Sequence, residues 1–290
     1  TIAGIITLLI AIPICVGSGY LLFILISAAT APKRKRTSTV RVSLLSATIV
    51  IPAHNEEDVI AATLQSLAAV EPRLPIVVIA DNCTDSTAQL ARDAGAFVIE
   101  RQNKAERGKG FALAFAFDIL MNGADNANEV RGAGADAYIV VDADTQVQPD
   151  FAVRLLAELP DDPSVPAAVQ GRYGVMNGGD GWRAALMSAA FDLVNHIRLL
   201  AIDNAGGCLG LKGNGMAFTR GCLAQYPMSG RSVTEDLDYA MDLMQHGGIR
   251  RRRFGPEVAI LRGICTQIEK LADGDIHGPS RSARSRTETP

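Results

Sequence analysis

Residues 47–56 read Ala-Thr-Ile-Val-Ile-Pro-Ala-His-Asn-Glu. The run is apolar and largely β-branched through Ile51, then becomes polar at His54. A strand covered on both faces has this composition, because neither face offers a polar side chain a place in water. Two later runs repeat the pattern: residues 76–80 (IVVIA) lead into Asp81-Asn82-Cys83, and residues 137–141 (AYIVV) lead into Asp142-Ala143-Asp144. Helical stretches are expected at about 56–69, 84–94 and 110–121, with a short strand at 97–100. Strands and helices alternating at this length predict an α/β chain, with a mostly parallel sheet carrying helices on both faces.

Sheets of this kind take ligands in the crevice beyond the carboxyl ends of their strands. The polar residues gather at those ends: His54-Asn55-Glu56, Asp81-Asn82 and Asp142-Ala143-Asp144. Turn and cap chemistry explains each group alone, but explains three on one rim poorly. A nucleotide-sized site is therefore expected. Asp142 and Asp144 can share a hard cation, Mg²⁺ or Mn²⁺, which neutralises a diphosphate. A lone Asp-x-Asp arises often by chance, and its position at the end of a buried strand is what raises it. Gly108-Lys109-Gly110 opens a helix where an anion can approach the backbone and Lys109 adds charge. A plain turn and helix start would read the same, and the spacing is not that of a Walker A loop. Thr234-Glu235-Asp236 reads either as an N-cap with an acidic first turn or as the source of a general base.

Working outward, Lys+Arg 28 against Asp+Glu 31 gives no basic excess, so no nucleic-acid partner is expected. Apolar residues at 48% and charged ones at 20% exclude a disordered chain. Five scattered cysteines (Cys15, Cys83, Cys208, Cys222, Cys265) have neither zinc-site nor disulfide-framework spacing. Residues 1–32 carry no charged side chain and exceed the roughly 20 apolar residues a bilayer core needs. Lys33-Arg34-Lys35-Arg36 follows directly, and positive flanks stay in the cytoplasm. The expectation is a single-pass anchor (1–32) in the inner or plasma membrane, a basic linker (33–46) and a cytoplasmic domain (47–262). A cleaved signal peptide ending at Ala29-Thr30-Ala31 is the rival, opposed by the length of the apolar stretch and by the basic flank.

Six motifs, taken in order, resemble family 2 glycosyltransferases. They are residues 51–57 (IPAHNEE), 80–85 (ADNCTD), 108–110 (GKG), 142–144 (DAD), 213–218 (GNGMAF) and 234–236 (TED). The similarity runs from about residue 48 to 260 and looks closest to the membrane-bound branch that includes cellulose-, chitin- and hyaluronan-synthase-like enzymes. It implies a GT-A fold and an inverting transfer of a sugar from a nucleotide-sugar donor, a UDP-sugar in the first instance, to a glycan or lipid-linked hydroxyl acceptor. Carried over by position, Pro52, Ala53 and Glu56 lie against the nucleoside, Asp81 contacts base or ribose, and Lys109 sits at the nucleotide edge of the pocket. Asp142 also serves the donor, and Asp142 with Asp144 holds the divalent cation. Gly213, Asn214, Gly215 and Glu235 face the acceptor, and Asp236 is the catalytic base.

One departure stands out. Synthase-like members carry Gln-x-x-Arg-Trp after Thr-Glu-Asp, whereas Trp182 here lies upstream of Thr234. That keeps open a chain that binds nucleotide without turning it over, apparently cut short at its C-terminus, with residues 263–290 an unstructured tail. A nucleotidyltransferase would share the sheet and the carboxylates but requires a Gly-rich basic loop after the first strand, which residues 52–56 do not supply. Residues 180–200 read as a long helix packing on a core or a membrane surface. His196 and His246 read as structural, and the arginines at 250–253 as a solvated run.

Overall fold

The computed structural model describes residues 2–31, 43–122, 130–175, 179, 181–206, 211–230, 235–246 and 264–270. Most of the basic linker, Thr234, the arginines at 250–253 and the tail after residue 270 lie outside the described residues.

Helix α1 (Ile2–Thr30) leads into strand β1 (Ala47–Ala53). There follow α2 (Ile60–Ala68), β2 (Ile76–Asp81), α3 (Thr87–Asp93), β3 (Phe97–Arg101), α4 (Lys109–Asn122) and β4 (Ala137–Val140). The second half comprises β5 (Thr145–Val147), α5 (Phe151–Leu156), β6 (Ala168–Val175) and α6 (Trp182–Asp192). A π-helical turn (Leu193–Ile197) joins α6 to α7 (Arg198–Asn204). Strand β7 (Met216–Thr219), α8 (Arg220–Gln225), α9 (Glu235–His246) and β8 (Ile264–Lys270) complete the described elements. The strand order is β3-β2-β1-β4-β7-β6-β8-β5. β3, β2, β1 and β4 run parallel, whereas β7 is antiparallel to both β4 and β6.

The continuous apolar runs have the reason expected of them. Ile49 and Ile51 enter one core with Ile60, Leu64 and Leu67 of α2 and with Phe151 and Leu155 of α5. Val50 turns to the other core, with Leu113, Phe117 and Leu120 of α4 and Tyr239 of α9. Alternate residues of one strand thus serve two buried layers. Edge-to-face rings link the second layer: Phe117 packs on Tyr138 and Phe218 at centroid distances of 5.8 and 6.4 Å, and Phe218 on Tyr239 at 5.7 Å.

Two differences from the sequence reading concern element ends. α2 begins at Ile60 rather than near residue 56, because Glu56 first accepts turn bonds from Val59 and Ile60 on its carbonyl. Residues 264–270, expected to belong to an unstructured tail, instead form β8, which pairs parallel with β6 and antiparallel with β5. A strand in the sheet's interior needs partners far off in sequence, and local periodicity does not record them.

Candidate functional site

The carboxyl ends of β1, β2 and β4 meet the start of α4 around a cleft of ≈ 330 Å³. Pro52, Ala53, His54 and Glu56 line it after β1, Asp81 and Asn82 after β2, Lys109 at the start of α4, and Asp142 and Asp144 after β4. The loops beyond β1 and β2 are tied to each other. Asn55, at φ +54°, accepts the Thr84 N–H on its side-chain oxygen at 2.8 Å, and Glu56 N–H donates to Thr87 Oγ1 at 2.8 Å. His54 Nδ1 lies 2.7 Å from the Asp81 carbonyl, which can only accept, so the ring proton sits on Nδ1.

Asp81 is buried and accepts from Arg101 Nη1 at 2.8 Å; the same guanidinium donates to the Glu106 carbonyl at 2.7 Å and to Glu106 Oε2 at 3.0 Å. Next to it, Asn82 accepts the Asn103 N–H at 2.8 Å, while its Nδ2 is buried with no hydrogen-bond partner among the described residues. Behind this wall of the cleft a buried carboxylate thus lies beside a buried N–H donor.

Beside Lys109 and Asp142, four distant motifs come together. Lys109 Nζ is ion-paired with Asp142 and donates to the Gly213 carbonyl. Gly213 has φ +79°, a region that favours glycine, and a Cβ there would lie 3.4 Å from Lys109 Nζ and 3.5 Å from Asp236 Oδ2. Asp236 sits on the inward side of the first turn of α9 because Tyr239, Ala240 and Leu243 bury that side, and Tyr239 donates to the Tyr226 carbonyl at 2.7 Å. Its Oδ1 accepts from the Leu237 N–H at 2.8 Å. The side chain of Glu235 lies outside the described residues.

Asn214 departs from the acceptor-facing role expected of it. The residue is 1% exposed. Its Oδ1 accepts the Asp142 N–H at 3.1 Å and its Nδ2 donates to Thr145 Oγ1 at 2.9 Å. It fixes the Asp142 turn from behind and presents nothing to a ligand. Gln170, also buried, holds the same loop by donating to the Asn214 carbonyl at 2.7 Å and accepting from Lys212 N–H at 2.8 Å.

The sequence reading missed Tyr173, Lys212 and Arg198. Tyr173 OH lies 3.4 Å from the Lys212 carbonyl and 3.5 Å from Asn195 Oδ1 of the π-helical turn. Burial, reinforced by the charges of Asp142 and Asp236, pushes its phenol up to about 12. Burial, with Arg198 close by, lowers the Lys212 ammonium, and Asp236 partly offsets this. Only the position of Lys212 directly before the Gly-Asn-Gly motif could have flagged it.

A divalent cation can be tested against these residues. Burial raises the Glu56 carboxyl, and the charges of Asp144 and Asp142 raise it further, so three carboxylates crowd one end of the cleft. Among the described residues, no three His, Cys, Asp or Glu side chains form a ready ligand cluster. Mg²⁺ characteristically uses one or two carboxylates and completes its shell with water and phosphate oxygens. Asp142 and Asp144 fit that kind of open half-site.

Residues 46–259 match the model of the family described as glycosyltransferase like family 2. Protein RfbJ of Shigella flexneri is 31% identical over 111 residues, which cover 38% of this chain and 74% of that protein. A crystal structure described as that of a mycobacterial protein aligns with a TM-score of 0.50 at 22% identity, over 85% of this chain and 69% of that one. Glucosyl-3-phosphoglycerate synthase from Mycobacterium tuberculosis, solved with phosphoglyceric acid, aligns with a TM-score of 0.50 at 19% identity, over 84% of this chain and 74% of that one. At these identities the structural matches bear on the fold, which is the GT-A type expected.

Proposed function

The chain belongs to the family 2 glycosyltransferases, and from that premise we propose that it moves a sugar from a nucleoside diphosphate sugar to a hydroxyl acceptor with inversion. The meeting of Lys109, Asp142, Gly213 and Asp236 on one wall carries the reading. It sets a base beside the place where carboxylates and an ammonium receive a diphosphate. In this reading Pro52, Ala53 and Glu56 flank the nucleoside. Asp81 accepts from a base N–H and Asn82 Nδ2 donates to the neighbouring carbonyl, a pair that uracil presents. Asp142 and Asp144 hold Mg²⁺ or Mn²⁺, which when bound neutralises charge on the leaving diphosphate. Asp236 takes the proton of the acceptor hydroxyl as the new bond forms. Gly213 and Gly215 shape the acceptor side, and Tyr173 and Lys212 extend it.

Helix α1 completes the proposal. It is 29 residues long, apolar throughout and almost wholly exposed, which is the make-up of a membrane anchor. With the basic flank after it, the catalytic domain lies on the cytoplasmic side.

The test is release of nucleoside diphosphate from a panel of UDP-, GDP- and dTDP-sugars with Mg²⁺ or Mn²⁺, beside a thermal-shift screen of the free diphosphates. A ligand that binds only the native state raises the apparent melting temperature. Turnover with one donor class supports the reading. A thermal shift without turnover for any acceptor returns the chain to a nucleotide-binding role.

A further inference from the structure

We propose that the helical run 182–204 beds in the headgroup region of a lipid bilayer, beside the emergence of α1, and turns the acceptor side of the cleft toward that surface. The inference rests on the reading of α1 as an anchor.

The first observation is a face that the described residues leave uncovered. No residue of α6 or of the π-helical turn is buried. Trp182, Leu186 and Val194 are 73%, 63% and 47% exposed, and with Ala190 between them they recur at four-residue steps, as one stripe. Met187 beside them is 69% exposed. The opposite side of α6 is already occupied, since Phe191 packs edge to face on Tyr173 at 5.3 Å. A helix that rests its other side on the protein and sends its large apolar residues outward has the arrangement of an interfacial helix.

The second observation fixes the height of this helix relative to a membrane. α7 packs on the C-terminal end of α1, where Ser27 Oγ donates to the Ala201 carbonyl at 2.8 Å and Asn204 Nδ2 donates to the Ser27 carbonyl at 2.8 Å. Ile24 and Ser27 are the buried residues of α1. At about 1.5 Å per residue, residues 2–23 cover about 33 Å, close to the roughly 30 Å of a hydrocarbon core. The contact with α7 then falls at the cytoplasmic boundary, and α6 continues from that level. Its chemistry suits the position: Trp182 begins the run, Arg183 lies over its ring at 5.3 Å, and Asp192, Asn195 and Arg198 interrupt what would otherwise be a span.

The consequence reaches the site. Asn195, in the turn where the helix is locally widened, faces Tyr173, and Tyr173 feels the charges of Asp142 and Asp236. π-turns commonly sit at functional sites. An acceptor carried by a lipid would reach Asp236 along this side without leaving the membrane.

Trp182 is the only tryptophan, so the unaltered chain carries its own probe. The full chain is reconstituted in vesicles of phosphatidylcholine and phosphatidylglycerol whose acyl chains are brominated either near the headgroup or near the methyl end. A second chain, Trp182→Phe with Leu9→Trp, reports on α1. The proposal expects Trp182 emission to be blue-shifted and mostly lost with shallow bromine but little changed with deep bromine, and Leu9→Trp to be quenched by deep bromine. Leu9→Trp quenched with Trp182 untouched would overturn the docking and leave the anchor standing, as would a Trp182 blue shift that depends on protein concentration and not on lipid, which would mark a second copy as the cover. Neither probe quenched would remove the anchor and the docking together.

Discussion

The side-chain oxygen of Asn214 accepts the backbone N–H of Asp142 at 3.1 Å. A motif 72 residues downstream thus sets the backbone of the carboxylate proposed to hold the cation. Both ends of the buried Asn214 amide are engaged, so removing it takes a partner from the Asp142 N–H and from Thr145 Oγ1, which keeps only its 3.3 Å bond to Asp144 Oδ1. Each stranded buried group costs about 1–3 kcal/mol. Asn214→Ala should lower unfolding stability by about 1–3 kcal/mol, read as a fall in urea midpoint at unchanged slope. It should also weaken metal-dependent nucleotide binding. A variant of equal stability loss at Leu120, at the far end of α4 from Lys109, should leave that binding alone.

Lys109 holds Asp142 in the absence of ligand, so ammonium and divalent cation compete for one carboxylate. Both side chains remain partly exposed, which keeps the pair near the ~1 kcal/mol of screened ion pairs. Lys109→Met should therefore tighten Mn²⁺ binding to the nucleotide-free chain several-fold, as followed by the electron paramagnetic resonance of free Mn²⁺. The same variant should weaken UDP binding in calorimetry, because the diphosphate loses a cation. Unchanged Mn²⁺ affinity would show that the pair does not compete.

The strand ends could be read from sequence because a strand covered on both faces leaves a continuous apolar run, and the first Asp or Asn after it marks where cover stops. β1, β2 and β4 all gave that signal. β6 did not: Gly171 and Gly174 break its pattern, and its register comes from β7 and β8 rather than from its own residues. β8 was hidden for the same reason. The cleft's acidic end was legible as Asp142-x-Asp144, but Tyr173 and Lys212 belong to no motif and reach the site only through the packing of β6 against the loop before β7. The buried, inward-bonded side chain of Asn214 was not legible, because a motif does not record which way its side chains point.

Arg101 is ion-paired with the buried Asp81 carboxylate, and it joins β3 to the loop carrying Glu106. Removing one partner of a buried pair costs about 3–5 kcal/mol, because the other charge is left without compensation. Arg101→Met should cost on that order in urea unfolding and should weaken nucleotide binding, since the Asp81 side chain would lose the guanidinium that holds it in place. Arg101→Lys should recover only part, because one ammonium cannot repeat the three-bond fork to Asp81 and Glu106. Nucleotide affinity equal to that of the parent in Arg101→Met would remove Asp81 from the base-recognising wall.

Asp236 has two readings that one substitution separates. As part of a helix start, its Oδ1 accepts the Leu237 N–H at 2.8 Å, and an asparagine keeps that bond and nearly the same shape. As a general base it must take a proton in the transition state, which an amide cannot do. Losing an interaction used only in the transition state lowers kcat and kcat/KM together and leaves donor binding unchanged. Asp236→Asn should thus bind UDP and Mn²⁺ as the parent does, with the same unfolding midpoint, and should turn over more slowly by about 10²–10⁴, the usual worth of a positioned base. Asp236→Ala should lose the same rate and, in addition, some helix stability, on the order of 1 kcal/mol for a lost capping oxygen. If Asp236→Asn keeps its rate while Asp236→Ala loses stability alone, the residue is a cap and the base lies elsewhere on the wall shared with Tyr173 and Lys212.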